Sequence, residues 1–125
     1  MNIVDSSGWL EYFADDPNAE QFAVPLSERD QLLVPSIIMH EVFKVVLRER
    51  GENSALQAVA LMRQGQIVPL TEDIALSAAR LGVAHKLPMA DSIILATART
   101  HNATVWTQDN DFEGLDNVRY FKKCK

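Results

Sequence analysis

Apolar residues fall into two patterns along this chain. Ile3-Val4, Leu32-Leu33-Val34, Ile67-Val68 and Ala103-Thr104-Val105-Trp106 are short continuous runs. Each reads as a strand candidate, Leu32-Leu33-Val34 as a buried one, because a strand with one wet face alternates apolar and polar side chains. A last short strand includes Val118 to Phe121. Between these runs, apolar positions recur at helical spacing. Trp9, Leu10, Tyr12 and Phe13 mark a first helix, with Ser6 or Ser7 as its expected cap. Asp16-Pro17 reads as a second helix start, and Pro25 as its end or kink. The clearest helix runs from Ile37 to about Arg50, opened by Pro35-Ser36 and closed by Gly51. Further helices are expected from about Ser54 to Arg63, from the cap Thr71 to about Lys86, and from about Ala90 to His101. Buried strands alternating with helices predict an α/β fold, a short parallel sheet of four to five strands covered by helices on both faces. Such sheets bind ligands outside the carboxyl ends of their strands.

The 125 residues fit a single domain, 1–125. Cys124 is the only cysteine, which excludes an internal disulfide and a cysteine zinc cluster and points to a reducing, cytoplasmic setting. No run approaches the roughly 18 apolar residues of a membrane span, and Met1-Asn2-Ile3-Val4-Asp5 has no signal-peptide pattern, so no membrane partner is expected. The net charge is −5, and Arg119, Lys122, Lys123 and Lys125 are four of the twelve cations. Residues 1–118 therefore carry eight cations against seventeen acids, a net −9. A body so acidic is no generic nucleic-acid binder, since such binding leans on phosphate neutralisation. It binds cations, meets a basic partner, or keeps its basic surface local.

The acids themselves are placed suggestively. Asp5 follows the first strand, and Asp109 and Asp111 follow the fourth, so they emerge at one rim of the sheet. Asp91 sits in the first turn of the helix from about Ala90, and Glu41 one turn into the helix from Ile37. Each has a plain reading: Asp5 as a helix cap, Asp91 as a partner of the helix dipole, Asp109 or Asp111 as an Asx turn. On a helical wheel Glu41 falls near the edge of an apolar arc through Ile38, Val42 and Val46, where it is partly buried or pairs with Arg48. Together the plain readings weaken. Clustered carboxylates raise one another's pKa unless a cation joins them, and oxygen ligands without His or Cys suit Mg²⁺ or Mn²⁺.

These residues resemble the PIN-domain ribonucleases, and within them the VapC-type toxins of toxin–antitoxin modules. The resemblance covers essentially the whole chain. Ile3-Val4-Asp5-Ser6-Ser7 is similar to the first motif, Glu41 after Pro35-Ser36 to the second, Ala90-Asp91-Ser92-Ile93-Ile94 to the third, and Thr107-Gln108-Asp109-Asn110-Asp111-Phe112 to the fourth. The resemblance implies a PIN-like three-layer sandwich. It implies Asp5, Asp91 and Asp109 as metal ligands, with Glu41 and Asp111 acting nearby, and Ser7 and Thr107 orienting the carboxylates. It further implies Mg²⁺, replaceable by Mn²⁺, hydrolysis of structured RNA such as tRNA or rRNA, a homodimer, and a small cognate antitoxin. Phosphate contacts are expected from Lys44, Arg48, Arg50, Lys86 and Arg99, with Lys122, Lys123 and Lys125 as a basic tail.

Other readings fare worse. His40-Glu41 lacks the second histidine of a metalloprotease helix, since position 44 is Lys. His85 and His101 are isolated, Cys124 has no partner in sequence and lies in an expected frayed end, and the glycines form no phosphate loop. Trp9, Tyr12, Phe13 and Phe22 are expected in the core, or lining a groove for an antitoxin helix. A phosphoaspartyl phosphatase wants an Asp where Ser7 stands, and a receiver domain wants a Lys between Arg99 and Lys122. The alternative to a nuclease is a catalytically silent PIN-like domain that serves as a nucleic-acid or protein binding module. The filled acidic positions favour activity.

Overall fold

The computed structural model describes residues 1–124; Lys125 of the expected basic tail lies outside the described residues. Five strands form one parallel sheet: β1 (Asn2–Val4), β2 (Leu32–Pro35), β3 (Gln66–Val68), β4 (Thr104–Thr107) and β5 (Val118–Tyr120). Among the described residues there are six α-helices: α1 (Ser6–Ala14), α2 (Ala19–Ser27), α3 (Ser36–Arg50), α4 (Glu52–Met62), α5 (Glu72–His85) and α6 (Met89–Thr100). Short 3₁₀ turns at Arg29–Gln31 and Asn110–Phe112 complete the chain. None of these helices is long and apolar enough to cross a membrane.

The sheet order is β3-β2-β1-β4-β5. The chain thus builds outward from β1 in one direction, then returns to build β4 and β5 on its other side. The switch point lies between β1 and β4, which pair from Asn2↔Thr104 to Val4↔Trp106. Ile3, Val4, Leu33, Val34 and Val105 are buried in the middle of the sheet, as their unbroken apolar runs require. Ile38 and Val42 of α3 are fully buried against it, and α6 is buried continuously from Ser92 to Ala98.

Local chemistry moves several boundaries. The first helix is capped by Asp5, whose carboxylate accepts from the Gly8 N–H, rather than by Ser6 or Ser7. A Cβ on Gly8 would fall 2.6 Å from the Val4 Cγ1 and 2.7 Å from the Phe22 ring, so only glycine lets α1 lie this close to the sheet. Helix α2 begins at Ala19, later than Asp16-Pro17 suggests, and Pro25 sits in its last turn. Gly51, at φ +88°, divides α3 from α4. Trp9 and Phe22 are core residues, while Tyr12 is exposed.

Candidate active site

The carboxyl ends of β1 and β4 deliver the acids. Backbone pairing continues past β1, with the Asp5 N–H donating to the Trp106 carbonyl at 3.1 Å. Asp5 is buried, and both its oxygens are held. Oδ1 accepts from the Ser7 hydroxyl at 2.7 Å and from the Gly8 N–H at 3.1 Å. Oδ2 accepts from the Thr107 hydroxyl at 2.8 Å. Thr107 Oγ1 in turn accepts from the Asp109 N–H at 2.9 Å, fixing the turn that presents Asp109. Ser7 and Thr107 thus each donate to a different oxygen of Asp5.

Asp91 in the first turn of α6, Asp109 after β4 and Asp111 in the following 3₁₀ turn each bring one carboxylate oxygen to within 4.8 Å of the others. The closest trio is thus Asp91, Asp109 and Asp111. Asp5 is buried and close enough to act on both Asp91 and Asp109. Asp111 accordingly stands in one group with Asp91 and Asp109.

Electrostatics mark the same place. Burial pushes the Asp91 carboxyl up to about 8 from 3.8, reinforced by the charges of Asp109, Asp5 and Asp111 and by a hydrogen bond with Asp111. Burial pushes Asp5 up to about 6, although the hydrogen bonds from Ser7, Thr107 and Gly8 oppose it. Glu41 is also raised by burial, with the Ser6 hydroxyl and His40 pulling the other way and Asp109 adding repulsion. Its Oε1 is buried without a hydrogen-bond partner. Arg48 pairs with Glu49, at 3.8 Å, and not with Glu41. Crowded, partly buried carboxylates with an unpartnered oxygen fit a divalent cation, which satisfies oxygen ligands and removes their repulsion together.

Behind the site lies a polar network that carries no recognisable motif. The Gln108 amide donates to Glu11 Oε1 at 2.9 Å, the Asn18 N–H donates to Glu11 Oε2 at 3.0 Å, and the Asn18 amide donates to Gln108 Oε1 at 3.0 Å. All three residues are buried. Glu11 lies one turn beyond Ser7 on α1, and that shared face was the only available signal. The Asn18 amide also donates to the Lys122 carbonyl at 3.1 Å, and the Cys124 thiol lies 3.6 Å from Asn18 Oδ1. The chain around Lys122 to Cys124 is therefore tied down and not frayed.

An open groove of about 630 Å³ runs between α1, α3 and α4. Leu10, Phe13, Val45 and Leu61 line it; of the four N-terminal aromatics, only Phe13 contributes. Of the five cations expected to touch phosphate, Arg50 reaches this groove, and none lines the smaller cavity beside Asp109.

The PIN domain family model matches residues 3–118. The chain belongs to the PIN-domain family. Among curated proteins no relative matches. Solved structures carry the fold further. A toxin–antitoxin complex from Klebsiella pneumoniae is similar at a TM-score of 0.82 and 23% identity, over 95% of this chain and 96% of that one. VapC20 from Mycobacterium tuberculosis, a sarcin-ricin loop cleaving toxin, is similar at 0.77 and 19%, over 95% and 99%. VapBC2 from Rickettsia felis, bound to a DNA fragment from its promoter, is similar at 0.75 and 12%, over 97% and 98%. The PIN domain of this chain therefore spans nearly the whole of each of these relatives.

Proposed function

We propose that this PIN domain is a Mg²⁺- or Mn²⁺-dependent endoribonuclease, the toxin of a toxin–antitoxin pair that acts on structured RNA in the cytoplasm. The observation that carries this reading is the convergence of Asp91, Asp109 and Asp111 within 4.8 Å at the carboxyl edge of the sheet. The buried, hydroxyl-clamped Asp5 close to them supports it. Asp91, Asp109 and Asp111 would hold the cation, with Asp5 completing the charge and Glu41 turning its free oxygen to the same need. A cation held there would supply Lewis-acid polarisation of a phosphodiester and a more acidic water. Ser7 and Thr107 fix the Asp5 carboxylate, and Thr107 also fixes the Asp109 turn, so the ligands need little rearrangement. The relatives solved as toxin–antitoxin complexes support a small antitoxin as partner, and the VapC20 description supports an RNA substrate. The family resemblance supports a homodimer.

Titrating Mn²⁺ into the protein by calorimetry tests the centre itself. One saturable site in the wild type, lost in Asp91→Asn, supports the reading. Equal binding by both proteins, or none by either, removes its basis.

A further inference from the structure

Four of the chain's twelve cations lie in residues 119–125, and three of these, Arg119, Lys122 and Lys123, are among the described residues. Strand β5 explains where they go. Its register pairs Trp106 with Arg119 and Thr107 with Tyr120. Side chains alternate across a strand, so Arg119 and Tyr120 part to opposite faces. Arg119 stacks over the Trp106 ring, 4.6 Å from its centroid, and is committed there. Tyr120 shares the face of Thr107, whose hydroxyl holds Asp5. Past Tyr120 the chain is fixed at two points: the Phe121 N–H donates to the Thr107 carbonyl at 2.9 Å, and the Asn18 amide grips the Lys122 carbonyl.

The result is a cavity of about 450 Å³ whose lining includes Asp109, Asn110, Tyr120, Lys122 and Lys123. Both lysines are exposed, and among the described residues neither is ion-paired. Tyr120 packs on no other aromatic ring among the described residues. A volume of a few hundred Å³ is that of a small-ligand pocket. Ammonium groups beside an aromatic ring are what an unpaired nucleotide meets in single-strand binding: cations along the phosphates, a ring under the base.

We propose that Tyr120, Lys122 and Lys123 form a subsite for an unpaired nucleotide flanking the cleaved bond, with Asn18 as the positioning residue that holds the lysine-bearing segment beside the metal ligands. This rests on the ribonuclease reading above. It gives a purpose to the buried Glu11–Asn18–Gln108 network, which otherwise stabilises a segment with no visible task. It also sets two cations of a chain of net charge −5, unpaired among the described residues, in the same cavity as Asp109.

The test is binding of a short, mixed-sequence, fluorescein-labelled single-stranded RNA in Mg²⁺, read by anisotropy across a salt series in an Asp91→Asn background that prevents turnover. Adding Lys122→Gln and Lys123→Gln is expected to weaken binding about ten-fold at low salt. It should also flatten the slope of log affinity against log salt by about 1.4, two phosphate contacts at roughly 0.7 each. Tyr120→Ala is expected to weaken binding about ten-fold, and Tyr120→Phe to restore it, because stacking needs the ring and not the hydroxyl. Asn18→Ala should reproduce the lysine effect in part. Unchanged affinity and slope in the lysine variant overturn the subsite, and Tyr120→Phe behaving as Tyr120→Ala overturns the stacking role. Either result leaves the nuclease standing if the wild type cleaves RNA. A wild type that neither binds nor cleaves RNA overturns both.

Discussion

Asp5 serves two ends with one carboxylate. Its Oδ1 caps α1 through Gly8, and its charge acts on Asp91 and Asp109. An amide preserves the first role and removes the second. Asp5→Asn is therefore expected to fold with an unchanged circular dichroism spectrum and to lose RNA cleavage by at least about 100-fold, or about 2.7 kcal/mol of barrier. Thr107 is a second hinge of the site, donating to Asp5 and accepting from the Asp109 N–H. Thr107→Val leaves buried polar partners unmet, and urea denaturation should show a loss of about 1–3 kcal/mol, largely recovered in Thr107→Ser. The acids also set a pH dependence. Asp5 and Asp91 stand at about 6 and about 8 when folded, against 3.8 ordinarily. The metal-free folded chain then holds more protons than the unfolded chain between about pH 4 and pH 8. Their stabilising contribution is complete below that window and is lost as pH rises through it. The melting temperature of metal-free protein is thus expected to fall from pH 5 to pH 8, and saturating Mg²⁺ to reverse the fall. A metal-free midpoint that rises over this range contradicts the crowding of acids.

The elements were largely legible because their signals are local. Unbroken apolar runs gave the strands, and Thr71, Gly51 and Pro88 punctuated the helices as their backbone chemistry requires. The first helix cap was misplaced because Ser6 and Ser7 are ordinary cap residues, yet the Ser7 hydroxyl is spent on Asp5. The second start was misplaced because Asn18 is drawn into the buried network, leaving α2 to begin at Ala19. That network joins residues 97 positions apart, and no periodicity reports such a contact. Close packing of α1 on β1 was equally invisible, since a glycine in a helix reads as a weakness until its neighbours are known. Gly8→Ala puts a methyl within 2.6 Å of Val4 and is expected to cost about 1–3 kcal/mol in thermal or chemical denaturation. An equal or higher stability contradicts the close approach.

The whole molecule turns on one topological fact, the order β3-β2-β1-β4-β5. It sets the ends of β1 and β4 side by side and lets Asp5, Asp109 and Asp111 share one rim, while α6 brings Asp91 from a separate helix. Asp5 and Asp109 are far apart in the chain, but each directly follows a buried strand of a parallel sheet, so their meeting at one rim was legible from the strand pattern. What the resemblance left open was the inner arrangement. It implied Asp5, Asp91 and Asp109 as ligands with Asp111 acting nearby; in the structure Asp91, Asp109 and Asp111 bring oxygens within 4.8 Å of one another, and Asp5 is close enough to act on Asp91 and Asp109. Ser7, Gly8 and Thr107 fix both oxygens of Asp5, and the 3₁₀ turn at Asn110–Phe112 carries Asp111 to Asp91 of α6. The central claim is that these acids hold a cation that cleaves RNA. Its most direct test is incubation of antitoxin-free protein with end-labelled total tRNA and total rRNA, in Mg²⁺, in Mn²⁺ and in EDTA, with Asp91→Asn alongside. Discrete products from wild type in either metal, absent with EDTA and absent with Asp91→Asn, are the expected result. Products that persist in EDTA or in the variant, or intact RNA under every condition, contradict the claim.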